Sequence, residues 1–445
     1  MRLIKSIFSY FLFYIDMYRY TTTTFKNGLK ILKIPNKETD IIILQISMKL
    51  GNDIETLSTL ETSHFIEHLF SMFTSSKYPN GKINRETLSF NNIDLDAEVI
   101  NKNIKFVLEF DVKHSEYVVD LVSHALLDFK VDESIFKQEK NAVIEELNEI
   151  IKDSDYKFDT KINSIMYKGH QRAYSEKDRL QNTKKIKSSD VEKYYKTHFS
   201  TKNYIISIFG NLPTKHFSYL KKQMELLKNT NNFKYSPYTI NLNQHIIYHK
   251  NTSNISNLKI YFKTNYTIFD SEYYIIKALI DILTGDLNSL LLKELRNEKG
   301  LVYHCSGDFD LDEVNKGLSH IELVTLCNSK NLLKVITIII DILRSVKYDC
   351  IDNRYVNSYC SEMKLQKKRE MFSKRPRNQL MVYSKYFVWN KPIISFNEDF
   401  KKLCNVNKTQ LKYMASKIFT KNNIIICYDG LKNMDSSIQH LINNL

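Results

Sequence analysis

A strand-and-helix order that runs through the chain twice constrains its fold more than any other feature. In the first half, apolar runs at 39–50 (TDIIILQISMKL), 103–112 (NIKFVLEFDV) and 203–209 (NYIISIF) read as strands. Between them, 115–129 and 133–152 carry helical spacing, the second with Asp132 placed as its cap. In the second half, 257–264 (NLKIYFKT), 318–327 (LSHIELVTLC) and 422–428 (NNIIICY) read as strands, and 271–283, 330–347 and 353–368 as helices. The last strand of each half closes at a glycine, Gly210 and Gly430. A chain of 445 residues is too long for one ordinary core. The pattern therefore predicts two α+β domains of like order, an internal duplication. The polar stretch 228–242 (KNTNNFKYSPYTINL), with Pro237, marks the link. The expected division is a leading segment 1–19, a first domain 20–225, a linker 226–243 and a second domain 244–445.

The chemistry concentrates in the first half. The segment STLETSHFIEHLF holds His64, Glu67 and His68. On a helix, residues at i and i+4 share a face and i+3 lies beside them. Both imidazoles can then reach one Zn²⁺, with Glu67 next to the open coordination position. A catalytic zinc takes three protein ligands and a water, and a carboxylate beside that water can serve as its general base. The third ligand must come from elsewhere. The helix FKQEKNAVIEELNEI offers Glu139, Glu145, Glu146 and Glu149. Glu139 and Glu146 are two turns apart on one face, with Glu149 one turn further, whereas Glu145 lies about 100° round from Glu146. An apolar stripe of Phe136, Val143, Leu147 and Ile150 on the same helix leaves its acidic face free to line a cleft.

These segments resemble the pitrilysin family, the inverzincins, whose hallmark is HxxEH followed further along by a ligand glutamate in a segment like ERxxVxxE. EKNAVIEE matches that segment, and Glu146 lies 78 positions after His68. The resemblance implies that His64, His68 and Glu146 ligate one zinc per chain, that Glu67 is the general base acting on the zinc-activated water that attacks the peptide bond, and that Glu139 supports the ligands. GNDIE at 51–55 resembles the family's strand-end GSxxE. IDLDAEV at 93–99 resembles the edge strand that pairs with substrate, with Asp96 and Ala97 at the contact positions. LRNEKGLVYHCS resembles LRExxGLxYxxx, giving Arg296 and Tyr303 as substrate-contacting residues. The implied fold is α+β: two similar domains, each a mixed or antiparallel sheet packed with helices, arranged as a clamshell.

At this length the chain is most like the β subunit of mitochondrial processing peptidase. That branch implies presequence cleavage, a mitochondrial matrix or mitochondrion-derived location (otherwise a cytoplasmic one), and an α-like partner or homodimer. The glycine-rich loop of α subunits is absent from ILTGDLNSLLLKEL. The acids that hold a substrate arginine in β subunits correspond here to Asp155 and Asp159, if one residue is deleted. Two other readings stay open: a general oligopeptidase of the same family, and a non-catalytic core-type structural subunit.

The remaining features exclude more than they assign. The net charge of +14 is spread along the chain and interleaved with acids, which reads as a solvated surface and gives no nucleic-acid partner. All six cysteines lie in the second half without a CxxC pair, so no zinc ribbon, thioredoxin motif or disulfide framework is expected. Ten glycines form no GxG or P-loop, and no GxSxG elbow occurs. No apolar run reaches the roughly 20 residues of a membrane span. Residues 1–16 (MRLIKSIFSYFLFYID) carry Arg2 and Lys5 and no acid before Asp16, resembling an organelle presequence or a short signal segment, with Met17 as a second possible start.

Overall fold

The computed structural model describes residues 19–229, 235–349, 351–373 and 376–445, so the expected targeting segment at 1–16 lies outside the described residues. The described residues form two sheets, each in its own compact unit. The first sheet contains β1 (Thr21–Thr24), β2 (Lys30–Ile34), β3 (Ile41–Met48), β4 (Asp94–Ile100), β5 (Asn103–Asp111) and β6 (Tyr204–Phe209), in the order β1-β2-β6-β3-β5-β4. The second contains β7 (Ile246–Lys250), β8 (Ile255–Lys263), β9 (Val302–Asp310), β10 (His320–Asn328) and β11 (Ile424–Gly430), in the order β7-β11-β8-β10-β9. From β2 onward the two sheets have the same order and the same senses. One parallel pair, β2 with β6 or β7 with β11, is followed by three antiparallel ones.

Burial follows position in the sheet. β6 is central, flanked by β2 and β3, and all six of its residues are buried. β4 is an edge strand, and its residues alternate between exposed and half-buried. Its Leu95, Ala97 and Val99 pack on the core, while Asp94, Asp96 and Glu98 point away from it.

The two units do not divide the sequence at one linker. One gathers the described residues up to Ser154, Tyr174–Tyr235 and the described part of Lys374–Phe396; the other takes Asp155–Ala173, Ser236–Ser373 and Asn397–Leu445. One crossing falls between 235 and 236, and each half also lends a segment to the other unit. The helix Pro376–Val388 buries Leu380 and Tyr383 against Leu32, Ile34, Ile43 and Phe209 of the first sheet. The helix Tyr156–Met166 buries Phe158, Ile162 and Met166 against Ile247, Tyr261, Ile425 and Cys427 of the second. Both sheets have an apolar second face to cover, and hydrophobic periodicity shows that a helix has a buried side without showing which sheet receives it.

Candidate metal centre

The site begins at the end of β3. Gly51 lies so close to the β4–β5 turn that a Cβ there would sit 2.1 Å from the Ile100 carbonyl oxygen, so only glycine fits. The backbone N–H of Asp53 donates to the Asn101 carbonyl at 2.7 Å, and the Asp53 carboxylate forms a buried ion pair with Lys102. This anchoring delivers Glu55 to the start of the helix Thr62–Phe70, where its carboxylate accepts the backbone N–H groups of Glu61 (3.1 Å) and Ser63 (2.7 Å). Those donors have no partner within the helix, and a carboxylate is the favourable group at this positive end.

The helix buries Phe65, Ile66, Leu69 and Phe70 and turns His64, Glu67 and His68 to the other side. Phe65 packs on Phe136 at 5.5 Å between ring centroids, which brings up the long helix Glu133–Lys152. That helix starts at Asp132, whose carboxylate accepts from the backbone N–H of Ser134, the cap expected from the sequence. Its acidic face meets the histidines. Glu139 Oε2 lies 2.8 Å from His68 Nδ1, and Glu146 Oε2 lies 3.5 Å from His64 Nε2.

Both Nδ1 atoms face carboxylates, because Glu61 Oε2 lies 2.9 Å from His64 Nδ1. Each ring therefore donates Nδ1–H outward and turns its Nε2 lone pair inward. The two Nε2 atoms converge to 3.1 Å. Glu67 Oε2 stands 3.6 Å from His68 Nε2 and 3.9 Å from His64 Nε2. Two lone pairs aimed at each other, ringed by carboxylates, call for a cation. Ligand atoms about 2.0–2.1 Å from a tetrahedral zinc lie about 3.3 Å from one another. The separations of 3.1 Å between the imidazoles and 3.5 Å from His64 to Glu146 fit that spacing; among the described residues the donor atoms that all lie within 4.8 Å of one another are those of His64, Glu67 and His68, and Glu146, its side chain 49% exposed, approaches this set through His64. Nitrogen and carboxylate donors are also the set zinc takes.

The electrostatics follow from burial and charge. Burial alone would lower the pKa of His64, but the hydrogen bond to Glu61 and the charges of Glu61, Glu67 and Glu146 outweigh it and raise the pKa above the usual imidazole value. Burial raises Glu67 above the ordinary carboxylate value, opposed by His68 and His64 and reinforced by Glu146 and Asp96. Burial would raise Glu61 as well, yet its bond to His64 and the Arg179 charge hold it low. The bond from His68 holds Glu139 low. Zinc binds the neutral imidazole, so it must displace the proton that a raised pKa retains on His64. Zinc affinity should therefore fall as the solution is acidified, starting above the pH at which an ordinary histidine protonates. Chelator competition across a pH series measures this, and an affinity flat down to the ordinary imidazole pKa would contradict it.

Glu145 and Glu146 can be separated by substitution. Glu146→Gln should lower zinc affinity by more than the roughly 10–100-fold cost of losing an outer partner. Glu145→Gln should leave it unchanged. Zinc titration of the two variants side by side checks this, and the reverse ranking would move the ligand to Glu145.

The other expected substrate residues have other neighbours. Asp96 is paired with Arg377, from the helix Pro376–Val388, which also reaches Asp94 at 3.5 Å. Ala97 packs on the core of the first unit. Arg296 and Tyr303 lie in the second unit, the guanidinium 4.8 Å from the centre of the exposed tyrosine ring. Asp155 and Asp159 also lie in the second unit; Asn257 donates to Asp155 at 3.2 Å, and Lys259 to Asp159 at 2.6 Å. Sequence reading passed over Glu61, Glu55 as a cap, and Arg179. Arg179, on the helix Glu176–Thr183, donates to Glu61 at 2.8 Å and lies 3.7 Å from Glu55. The one available signal was the spacing of three between Glu61 and His64.

Comparison with known proteins places these residues in a family. The profile described as insulinase (peptidase family M16) matches residues 31–177, and that described as peptidase M16 inactive domain matches 185–363. His64, Glu67, His68, Glu139 and Glu146 all fall in the first match. An uncharacterized zinc protease, YmxG, of Bacillus subtilis (strain 168) is 22% identical over 426 residues, covering 93% of this chain and 99% of that protein. A probable mitochondrial-processing peptidase subunit beta of Arabidopsis thaliana is 20% identical over 188 residues, 42% of this chain and 35% of that one. Among solved structures, a protease from Helicobacter pylori aligns with a TM-score of 0.78 at 16% identity, over 94% of this chain and all of that one. A peptidase M16 inactive domain from Pseudomonas fluorescens aligns with a TM-score of 0.79 at 13% identity, over 93% of this chain and 99% of that one. These structures share the fold.

Proposed function

Since the chain belongs to peptidase family M16, the insulinase family, we propose that it is a zinc-dependent metalloendopeptidase that cleaves presequences from proteins imported into a mitochondrion or a mitochondrion-derived organelle. The observation that carries the peptidase reading is the pair of Nε2 atoms 3.1 Å apart with Glu67 beside both and Glu146 beside that of His64. A non-catalytic core-type subunit has no use for such a set. The presequence reading draws on the likeness to a processing-peptidase β subunit over part of the chain.

His64, His68 and Glu146 would hold the metal. Zinc there supplies Lewis-acid polarisation of the scissile carbonyl and a lowered pKa for water. Glu67 Oε2 takes the proton of the attacking water and returns it to the leaving amine, as its place beside both imidazoles allows. Glu139 keeps the His68 ring turned so that its lone pair faces inward. The outer edge of β4 offers backbone N–H and C=O groups to an extended peptide, which would bind as an added strand. The working assembly is a homodimer or a pair with an α-like subunit.

A second reading, a general oligopeptidase of the same family, is favoured by one observation. Asp155 and Asp159 are engaged by Asn257 and Lys259, so a substrate arginine would have to displace those partners. A peptide panel with and without an arginine two positions before the cut separates the readings. Presequence processing predicts kcat/KM higher by about 10–100-fold for the arginine peptides, the worth of one charge-assisted hydrogen bond. Equal values support the oligopeptidase.

A further inference from the structure

The structure assigns to Glu61 a positioning role at the metal centre: we infer that its carboxylate fixes the tautomer and ring orientation of His64, as Glu139 does for His68. The inference rests on the metallopeptidase reading of the site and names a determinant of metal affinity within it.

Glu61 is an unusual residue for its position. Its backbone is left-handed, with φ 71° and ψ −2°, a conformation that glycine adopts freely and glutamate does not. It stands at the first capping position of the metal helix, yet its side chain makes no capping bond. Glu55 performs that task instead, accepting from the backbone of Glu61 and Ser63. The Glu61 carboxylate is thereby left for two other groups, His64 Nδ1 at 2.9 Å and Arg179 Nη1 at 2.8 Å. Residue 61 is 5% exposed, so its charge has little water to lean on. Arg179 also lies 3.7 Å from Glu55, and the two acids hold it between them.

Neither the backbone nor the helix cap requires this residue. Glycine would suit the backbone better, Glu55 already caps the helix, and Arg179 would retain a carboxylate partner. What glycine cannot do is accept the proton of His64 Nδ1. Without that acceptor the imidazole can rotate or place its proton on Nε2, where it blocks the lone pair that a metal needs. The two histidines thus receive the same support from opposite directions, one from its own helix start and one from the facing helix.

The test uses the full chain and zinc alone, titrated against a chromophoric chelator, with thermal unfolding of the metal-free proteins and visible spectra of the cobalt-substituted ones. Glu61→Gly relieves the left-handed backbone but loses the buried bond to Arg179, so the metal-free protein should unfold somewhat below the wild type; at a temperature where both are fully folded it should bind zinc about 10–100-fold more weakly and show a shifted cobalt spectrum. Glu61→Gln keeps an oxygen acceptor and should recover part of the affinity. Zinc binding by the glycine variant within about threefold of wild type overturns the inference while leaving the metallopeptidase reading intact. So does a loss of affinity that appears only at temperatures where the metal-free variant is no longer fully folded. A wild type that takes up no zinc overturns both.

Discussion

Replacing Glu67 with glutamine should leave one zinc per chain and lower kcat by about 10²–10⁴-fold, the usual contribution of a positioned general base. Glutamine has the shape of glutamate, so the metal helix and its neighbours are undisturbed. Its amide oxygen cannot take a proton from water, and that is the one function removed. Glu67 stands 3.6 and 3.9 Å from the two inward-facing imidazole nitrogens, within reach of anything bound between them. The ligands proposed here do not include it, so zinc content measured on the same preparation separates two roles. Zinc retained with turnover lost is the expected result. Zinc lost together with turnover would make Glu67 a ligand, and turnover retained in a clean preparation would remove it from the chemistry.

Phe70→Ala should destabilise the first unit by about 3–5 kcal/mol, the range for truncating a buried phenylalanine. Phe70 is fully buried. Its ring centroid lies 4.8 Å from Phe106, 5.6 Å from Phe129, 5.7 Å from Phe73 and 5.9 Å from Tyr195. Phe73 comes from the turn after the metal helix, Phe106 from β5, Phe129 from a bridge with Ser75 and Tyr195 from the helix Ser188–His198, and they close around Phe70 from several sides. A void at that point cannot be filled by the movement of one neighbour. Because Phe70 is two residues beyond His68, the cavity should also loosen the metal helix and weaken zinc binding. Denaturant unfolding measures the first effect and chelator competition the second. A loss below about 1 kcal/mol would mean that the cluster repacks.

The residues of the metal site were legible to different degrees. His64, Glu67 and His68 could be read from spacing because helical geometry is local: positions three and four apart must share a face. For the same reason Glu139 and Glu146 could be placed on one side of a helix capped by Asp132, and that helix spans Glu133–Lys152 as its periodicity predicts. Asp155 and Asp159 had equally good spacing, but spacing states which way side chains point and not what they meet. Asn257 and Lys259 meet them.

The sequence by itself determined the elements, their doubled order and the composition of the reactive helix faces, since these depend on neighbours within a few residues. Tertiary structure alone decided the rest. It brought the acid face of 133–152 onto the histidines and sent the helices 156–166 and 376–388 to sheets built mainly by the other half of the chain. It also turned Glu61 back onto His64 through a left-handed backbone and set Arg179 against it. Those outcomes rest on which apolar face covers which, and burial is a non-directional force whose partners lie far away in sequence.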